Sequence, residues 1–137
     1  MERKQNKAAI AQYEMVLKVQ PDNVLVLNNL ASLYQQEKDP RALATAERAN
    51  KLQPEVGAVA DTLGWILLEQ GQAARAVELL RKAAESEPKS GEIGYHYAVA
   101  LAKSGDKAAA RKQLEAILSS GQAFPQQEQA KTLLKQL

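Results

Sequence analysis

The stretches YEMVLKVQP (13–21), AERANKLQP (46–54) and LLRKAAESEP (79–88) are of one kind: each is a short amphipathic segment that ends on a proline. The prolines Pro21, Pro54 and Pro88 are therefore 33 and 34 residues apart. A fixed period of this length is typical of an array of small units that pack on their neighbours along the chain. We therefore expect a repeat protein rather than a globule built around a single core.

Composition narrows the possible functions. The chain has 137 residues, of which 45% are apolar and only 4% aromatic, so its core must consist mainly of Ala, Leu, Val and Ile. A net charge of +2 without a block of basic residues argues against nucleic-acid binding. The absence of cysteine excludes disulfides and thiol chemistry, and His96 is the only histidine. We expect no metal, no cofactor and no enzyme activity, and no apolar run approaches the roughly 20 residues of a membrane span.

Helix signals are dense along the chain, and no segment has the alternating pattern of a strand. Helix starts are predicted at Asp22, at Asp39–Pro40 and at Asp106, and helix ends at Gly71 and Gly105. The connecting loops are short, which favours antiparallel hairpins. Eight helices are predicted, at about 5–19, 22–36, 40–52, 56–70, 72–86, 90–104, 106–119 and 125–136.

Alignment of the units on their prolines places small and large residues in register. In the second helix of each unit, alanine recurs at one position, at Ala9, Ala42, Ala76 and Ala110. In the first helix, a small residue follows a large one in the pairs Leu30-Ala31, Leu63-Gly64 and Tyr97-Ala98. Small residues at fixed positions allow two helix backbones to approach each other, and the large residues beside them fill the space between units.

This register resembles the tetratricopeptide repeat (TPR) family. The resemblance implies an all-α fold, a right-handed superhelix of antiparallel helix pairs that closes with a C-terminal capping helix. It divides residues 1–137 into a half repeat at 5–21 (second helix only), full repeats at 22–54, 55–88 and 89–122, and the capping helix at 123–137. Gln122 stands where the third full repeat lacks its proline.

In TPR-like arrays the first helices line a concave groove, and the resemblance implies that this groove binds a peptide or a partner protein. The groove residues that it implies here are Asn28, Ser32, Asp61, Trp65, Leu68, Glu92, Tyr95 and Val99. Trp65 and Tyr95 are the strongest candidates for ligand contacts, although Trp65 could instead pack between repeats. Asp61 stands where a neutral or basic group would be needed to clamp a C-terminal carboxylate, so that mode of binding is not expected.

A weaker resemblance concerns DTLGWILLEQG (61–71), ALAKSGDKAAARKQLEAIL (100–118) and FPQQEQAKTLLKQL (124–137). These stretches are similar to the C-terminal part of bacterial TPR proteins of the PEP-CTERM and exopolysaccharide systems. The similarity implies a scaffold in exopolysaccharide export or envelope protein sorting. It suggests the cell envelope or periplasm as the compartment, with the cytoplasm as the alternative.

Two other functions remain open from the sequence. The chain could be the structural C-terminal cap of a longer array, because its last helix is amphipathic and can close an apolar end. It could also be an oligomerisation module, because the half repeat lacks its first helix and leaves an apolar face without its normal cover. The residues of that face are Ile10, Tyr13, Val16 and Leu17, and they predict a homodimer through the N-terminal helix.

Overall fold

The computed structural model describes the backbone of residues 2–137 and the side chains of residues 4–137. Within this range the chain forms eight α-helices and no strand, which confirms the all-α class. Each predicted helix is present, with ends within three residues of those expected. The helices are α1 (Glu2–Val19), α2 (Val24–Gln36), α3 (Ala42–Leu52), α4 (Gly57–Glu69), α5 (Ala73–Ser86), α6 (Gly91–Lys103), α7 (Lys107–Ser119) and α8 (Gln127–Gln136).

The start of α2 differs from the prediction. Asn23, not Asp22, is the N-cap, and its side-chain Oδ1 accepts a hydrogen bond from Val26 N at 3.2 Å. Asp22 lies one residue too early to reach that amide and forms an ion pair with Arg48 at 2.6 Å instead. The predicted cap was therefore wrong by one residue, since both residue types are good N-caps.

The starts of α3 and α7 illustrate two uses of aspartate. Asp39 Oδ1 accepts from Arg41 N at 2.9 Å, which closes a turn, and the helix proper begins later than predicted, at Ala42. Asp106 caps α7 as predicted, since its Oδ1 accepts from Ala109 N at 3.1 Å. The two predicted C-terminal glycines are also confirmed, because Gly71 and Gly105 have φ values of +83° and +96°.

Consecutive helices pack on each other throughout the chain, so that α2–α3, α4–α5 and α6–α7 form three hairpins. Helices α2, α4 and α6 also contact one another in that order, and α8 contacts both α6 and α7. The first helices of the units therefore form a continuous row. Helix α8 takes the place in that row that a further first helix would occupy.

The small residues lie where helix backbones approach most closely. A Cβ atom added to Gly64 of α4 would lie 2.7 Å from Leu80 Cγ of α5, and one added to Gly94 of α6 would lie 2.6 Å from Ile117 Cγ2 of α7. Both contacts are tighter than a methyl group tolerates without movement of the neighbour. These glycines let the two helices of a hairpin pack on each other's side chains.

The two ends of the array differ in polarity. On α3, α5 and α7 the aligned inward positions are buried, with exposures from 0% to 8%, whereas the matching Val16 of α1 is 37% exposed. Its neighbours Met15 and Val19 are 66% and 81% exposed. Helix α8 instead buries Ala130 and exposes Lys131 and Lys135.

The face expected to mediate self-association needs a correction. Ile10, Tyr13 and Leu17 are partly buried against the core formed with α2 and α3, so they are already largely covered within the chain. Of the four predicted residues, Val16 alone is exposed. The uncovered apolar surface is centred on Met15, Val16 and Val19, because helical geometry turns these positions away from α2.

Candidate functional site

Helices α2, α4 and α6 line a concave depression of about 510 Å³, which we call the groove. Its central wall is one face of α4, where Asp61, Trp65 and Glu69 follow one another at intervals of one helical turn. Ser32 of α2 lies on one side, and Glu92 and Tyr95 of α6 lie on the other. The site is therefore built from three successive repeats and depends on their stacking.

The floor of the groove is a cluster of Asp61, Trp65 and His96. His96 is 7% exposed, and its Nδ1 lies 2.7 Å from Asp61 Oδ1. A carboxylate oxygen accepts, so this contact is a hydrogen bond in the tautomer whose Nδ1 carries the hydrogen. The imidazole ring stacks on the Trp65 indole with a centroid distance of 4.0 Å and an interplanar angle of 23°. His96 thus joins α6 to α4 and fixes the indole while Trp65 stays partly exposed.

Tyr95 is the second aromatic side chain of the groove. Its ring centroid lies 6.5 Å from that of Trp65, and the two planes are tilted by 46°. Partial burial raises the pKa of its phenol above the usual value, so the hydroxyl stays neutral over the physiological range. Tyr95 also lines a neighbouring depression of about 440 Å³ between α6 and α8, together with Val99 and Leu133. The two depressions meet at this tyrosine.

Amide side chains hold two groove carboxylates at an interval of one repeat. Gln35 Nε2 donates to Glu69 Oε1 at 2.6 Å, and Gln126 Nε2 donates to Glu92 Oε1 at 3.1 Å. In both pairs the partners are 34 residues apart, but the glutamine precedes the glutamate in the first pair and follows it in the second. These hydrogen bonds orient the carboxylates without neutralising their charge.

Most of the groove residues implied by the sequence come together. Ser32, Asp61, Trp65, Glu92 and Tyr95 line the groove, and Val99 lines the neighbouring depression. The Trp65 indole packs on His96 of the next repeat and also faces the groove, and its contact with a ligand stays a prediction. Asn28 does not line the groove: it is partly buried on α2, and its Oδ1 has no hydrogen-bond partner among the described residues.

Leu68 was expected in the groove and lies in the core instead, at 4% exposure. Seven residues at about 100° per residue bring Leu68 to within about 20° of Asp61, on the side of α4 that faces α6. There it belongs to the same buried cluster as Ala100. The exposed stripe of α4 continues to Glu69, one residue further along, because the groove face turns gradually around the helix.

Several residues of the groove were not predicted from the sequence. Gln126 and Gln129 come from the start of α8, which the sequence suggested to be only a cap. The repeat period could have indicated them, because Gln126 and Gln129 lie 34 residues after the groove residues Glu92 and Tyr95. His96, the only histidine, was not among the groove residues predicted from the sequence. Its partnership with Asp61 depends on a contact between repeats that spacing along one helix does not reveal.

A larger cavity of about 570 Å³ lies between α5, α6 and α7. None of the predicted groove residues lines it, and the Phe124 ring packs closely on Gly91 in its wall, 2.5 Å from where a Cβ of that glycine would be. Among the residues with described side chains, no group of three or more His, Asp or Glu residues could hold a metal ion. None of the helices described is long and apolar enough to cross a membrane.

Comparison with known proteins gives the family. The sequence profile of the tetratricopeptide repeat matches residues 67–137, which is more than half of the chain. The chain belongs to the TPR family. No curated protein sequence matches it. Its TPR fold suggests a scaffold for protein–protein interaction, since TPR proteins bind protein partners and are generally not enzymes.

Solved structures support the same superhelical fold. A crystal structure of MamA superposes with a TM-score of 0.75 at 21% identity, over 86% of this chain and 70% of that one. MamA from Desulfovibrio magneticus RS-1 gives a TM-score of 0.75 at 17% identity, over 88% of this chain and 70% of that one. PilW, a type IV pilus biogenesis factor, gives 0.82 at 24% identity, over 99% of this chain and 66% of that one. At these identities the similarity establishes the fold alone.

Proposed function

We propose that this TPR array is a protein-interaction scaffold that receives a peptide segment of another protein in the groove, without catalysing a reaction. The observation that carries the proposal is the pair of partly exposed aromatic rings, Trp65 and Tyr95, in a concave surface built from three repeats. Large aromatic side chains in a preformed groove bury much area at little cost in side-chain entropy. We keep the division into repeats at the prolines as part of this proposal.

The groove can be tested with peptides selected from a displayed library of random 12-residue sequences. Trp65 is the only tryptophan, so its fluorescence reports directly on binding in the groove. We expect Trp65→Ala and Tyr95→Ala each to weaken the selected peptides by about 30-fold, as for a binding hot spot. Affinity of these variants is measured by calorimetry, because the first of them lacks the fluorophore.

The matched control is Leu52→Ala, which truncates a 40% exposed apolar side chain of α3 that does not line the groove. It should leave peptide affinity unchanged, and helical circular dichroism should be retained in all three variants. Normal binding by both groove variants would show that the groove is not the binding surface. The structural alternative, a C-terminal cap of a longer array, would then be favoured by the polar outer face of α8.

Self-association through α1 is a second candidate function, supported by one observation. Val16 is 37% exposed at a position where the complete repeats are at most 8% exposed, and Met15 and Val19 extend the apolar surface. We expect a dimer whose dissociation is seen on dilution in analytical ultracentrifugation. Val16→Lys should abolish that dimer, whereas Leu52→Lys, at a 40% exposed leucine of α3, should not. A monomeric mass at high concentration would rule out this function.

The most specific part of the proposal is that the protein acts in the bacterial cell envelope. It rests on the resemblance of residues 61–71, 100–118 and 124–137 to the PEP-CTERM and exopolysaccharide TPR proteins. A role in exopolysaccharide export or envelope protein sorting follows from the same resemblance. Fractionation of the source organism, followed by immunoblotting, should recover the protein with the envelope or periplasm. Recovery with the cytosolic fraction alone would contradict this part and leave the binding function untouched.

A further inference from the structure

Three carboxylates of the groove have no partner among the lysines and arginines whose side chains are described. Asp61, Glu69 and Glu92 all line the groove, and no lysine or arginine with a described side chain lies within ion-pair distance of any of them. Their hydrogen-bond donors are His96 and two glutamine amides. Neutral amides satisfy part of a carboxylate's hydrogen-bonding capacity but leave its charge uncompensated.

The arginines outside the groove are arranged differently. Four of them hold carboxylates at 2.6 to 3.1 Å, in the pairs Arg41–Asp39, Arg41–Glu14, Arg48–Asp22, Arg75–Glu47 and Arg81–Glu78. These arginines therefore have carboxylate partners outside the groove. The chain has a net charge of +2, yet the groove concentrates negative charge. Among the described residues that line it, Lys38, in the loop after α2, is the one lysine or arginine.

The carboxylates flank the exposed aromatic rings. On α4, Asp61 and Glu69 lie one turn before and one turn after Trp65, about 6 Å away along the axis in each direction. On α6, Glu92 precedes Tyr95 by three residues, which is one turn. The face of an aromatic ring attracts a guanidinium or ammonium group, and a neighbouring carboxylate attracts it further. The groove thus offers two kinds of contact that favour the same charged group.

We propose that the occupant of the groove is a basic peptide segment, which places an arginine or lysine side chain against Trp65 and Tyr95 and pairs it with Glu69 or Glu92. This inference rests on the proposed function and adds the chemistry of the partner to it. Negative charge in the groove disfavours acidic peptides and the phosphates of nucleic acids. Arginine fits better than lysine, because its planar guanidinium can stack on a ring while its edge donates to a carboxylate.

The test uses a set of designed 12-residue peptides with an Ala/Gln/Leu host sequence and two substituted positions four residues apart. The substituted residues are arginine, lysine, citrulline or glutamate, so the arginine and citrulline peptides have similar shape and differ in charge. Binding is followed by Trp65 fluorescence in low salt and in 1 M NaCl. We expect arginine to bind about tenfold more tightly than citrulline in low salt, with most of the difference lost in high salt.

Glutamine variants, which keep the shape of glutamate but remove its charge, test which carboxylate pairs with the peptide. Glu69→Gln and Glu92→Gln should each weaken the arginine peptide by about two- to fivefold, as expected for a partly exposed ion pair, and leave the citrulline peptide unchanged. Glu115→Gln is the matched control, since it removes the same charge from an exposed position on α7. It should leave the affinity of both peptides unchanged.

The outcomes separate the two levels of the proposal. The basic-peptide inference would be overturned by equal affinity for the arginine and citrulline peptides or by tighter binding of the glutamate peptide. It would also be overturned if neither Glu69→Gln nor Glu92→Gln changed the affinity for the arginine peptide. If binding of those peptides still depended on Trp65 and Tyr95, the groove would remain the binding surface. Failure of every designed peptide to bind would also overturn the inference. The library selection would then decide the proposed function independently.

Discussion

The hydrogen bond between Asp61 and His96 should couple the second and third repeats by a measurable free energy. Both side chains are largely buried, at 14% and 9% exposure, and the Nδ1 to Oδ1 distance is 2.7 Å. The perturbation is a double-mutant cycle built from Asp61→Ala, His96→Ala and the double variant. If the contact joins the repeats as the structure indicates, the double variant will lose less stability than the sum of the two single variants.

The expected magnitudes follow from the contacts. Asp61→Ala leaves the buried Nδ1–H of His96 without an acceptor, which costs about 1–3 kcal/mol. His96→Ala removes the same hydrogen bond and also the stacked contact with Trp65, worth a further 0.5–1.5 kcal/mol approximately. Since a hydrogen bond to a charged group contributes about 1.5–3 kcal/mol, the coupling free energy should lie in that range.

Urea unfolding followed by circular dichroism at 222 nm gives the four free energies of unfolding. His96→Phe serves as a further control, because it keeps an aromatic ring beside Trp65 but cannot donate to Asp61. A coupling below about 0.5 kcal/mol would be within the range found for independent sites. It would refute the view that this pair fixes the groove floor and joins the two repeats.

Three other predictions concern packing, capping and pH. Gly64→Ala should destabilise the fold by about 1–3 kcal/mol in urea unfolding, because its Cβ would meet Leu80 Cγ at 2.7 Å. Gly57→Ala should cost less, because its Cβ would meet the flexible Glu87 Cγ at 2.9 Å and Ser86 Oγ at 3.1 Å, and equal costs would contradict the close-approach argument. Ser90→Ala removes the hydrogen bond from Ile93 N to the α6 N-cap and should lower the free energy of unfolding in urea by about 1 kcal/mol. An unchanged free energy of unfolding would contradict this role of Ser90. Burial and the hydrogen bond that its hydroxyl donates to Glu14 raise the pKa of Tyr34 to about 12. The stability that this shift provides is complete below the unfolded-state pKa of about 10 and is lost as the pH rises to 12. Between pH 10 and 12 the free energy of unfolding of the wild type should therefore fall by up to about 1.4 kcal/mol per pH unit more than that of Tyr34→Phe. Equal pH dependence of the two free energies would contradict the raised pKa of Tyr34.

The repeat architecture could be predicted because its signals are local and recur. The large–small pairs and the positive-φ glycines depend on residues close together in the chain, and the proline spacing shows that these local signals recur every 33 or 34 residues. The cap of α2 was misplaced because Asp22 and Asn23 have nearly equal preference for that position. The path of the chain after Pro21 decides which side chain reaches Val26 N, and the sequence does not show that path.

The groove was predicted less completely because it depends on how helices lie relative to one another. Leu68 was misplaced because its position on the helical wheel is close to that of Asp61, and the sequence does not say that this side of α4 packs on α6. His96 could not be paired with Asp61 for the same reason, since the partners are 35 residues apart on different helices. Gln126 and Gln129 were predictable in principle, because the repeat period extends into α8.

The most direct test of the binding surface is a titration of ¹⁵N-labelled protein with the arginine peptide, followed by amide chemical-shift changes. The single indole N–H signal, from Trp65, identifies the groove without ambiguity. We predict that this signal and the amides of Ser32 and Tyr95 shift together and saturably. Shifts confined to residues around Tyr97 and Phe124, or a saturable shift elsewhere with the Trp65 indole unmoved, would contradict the account.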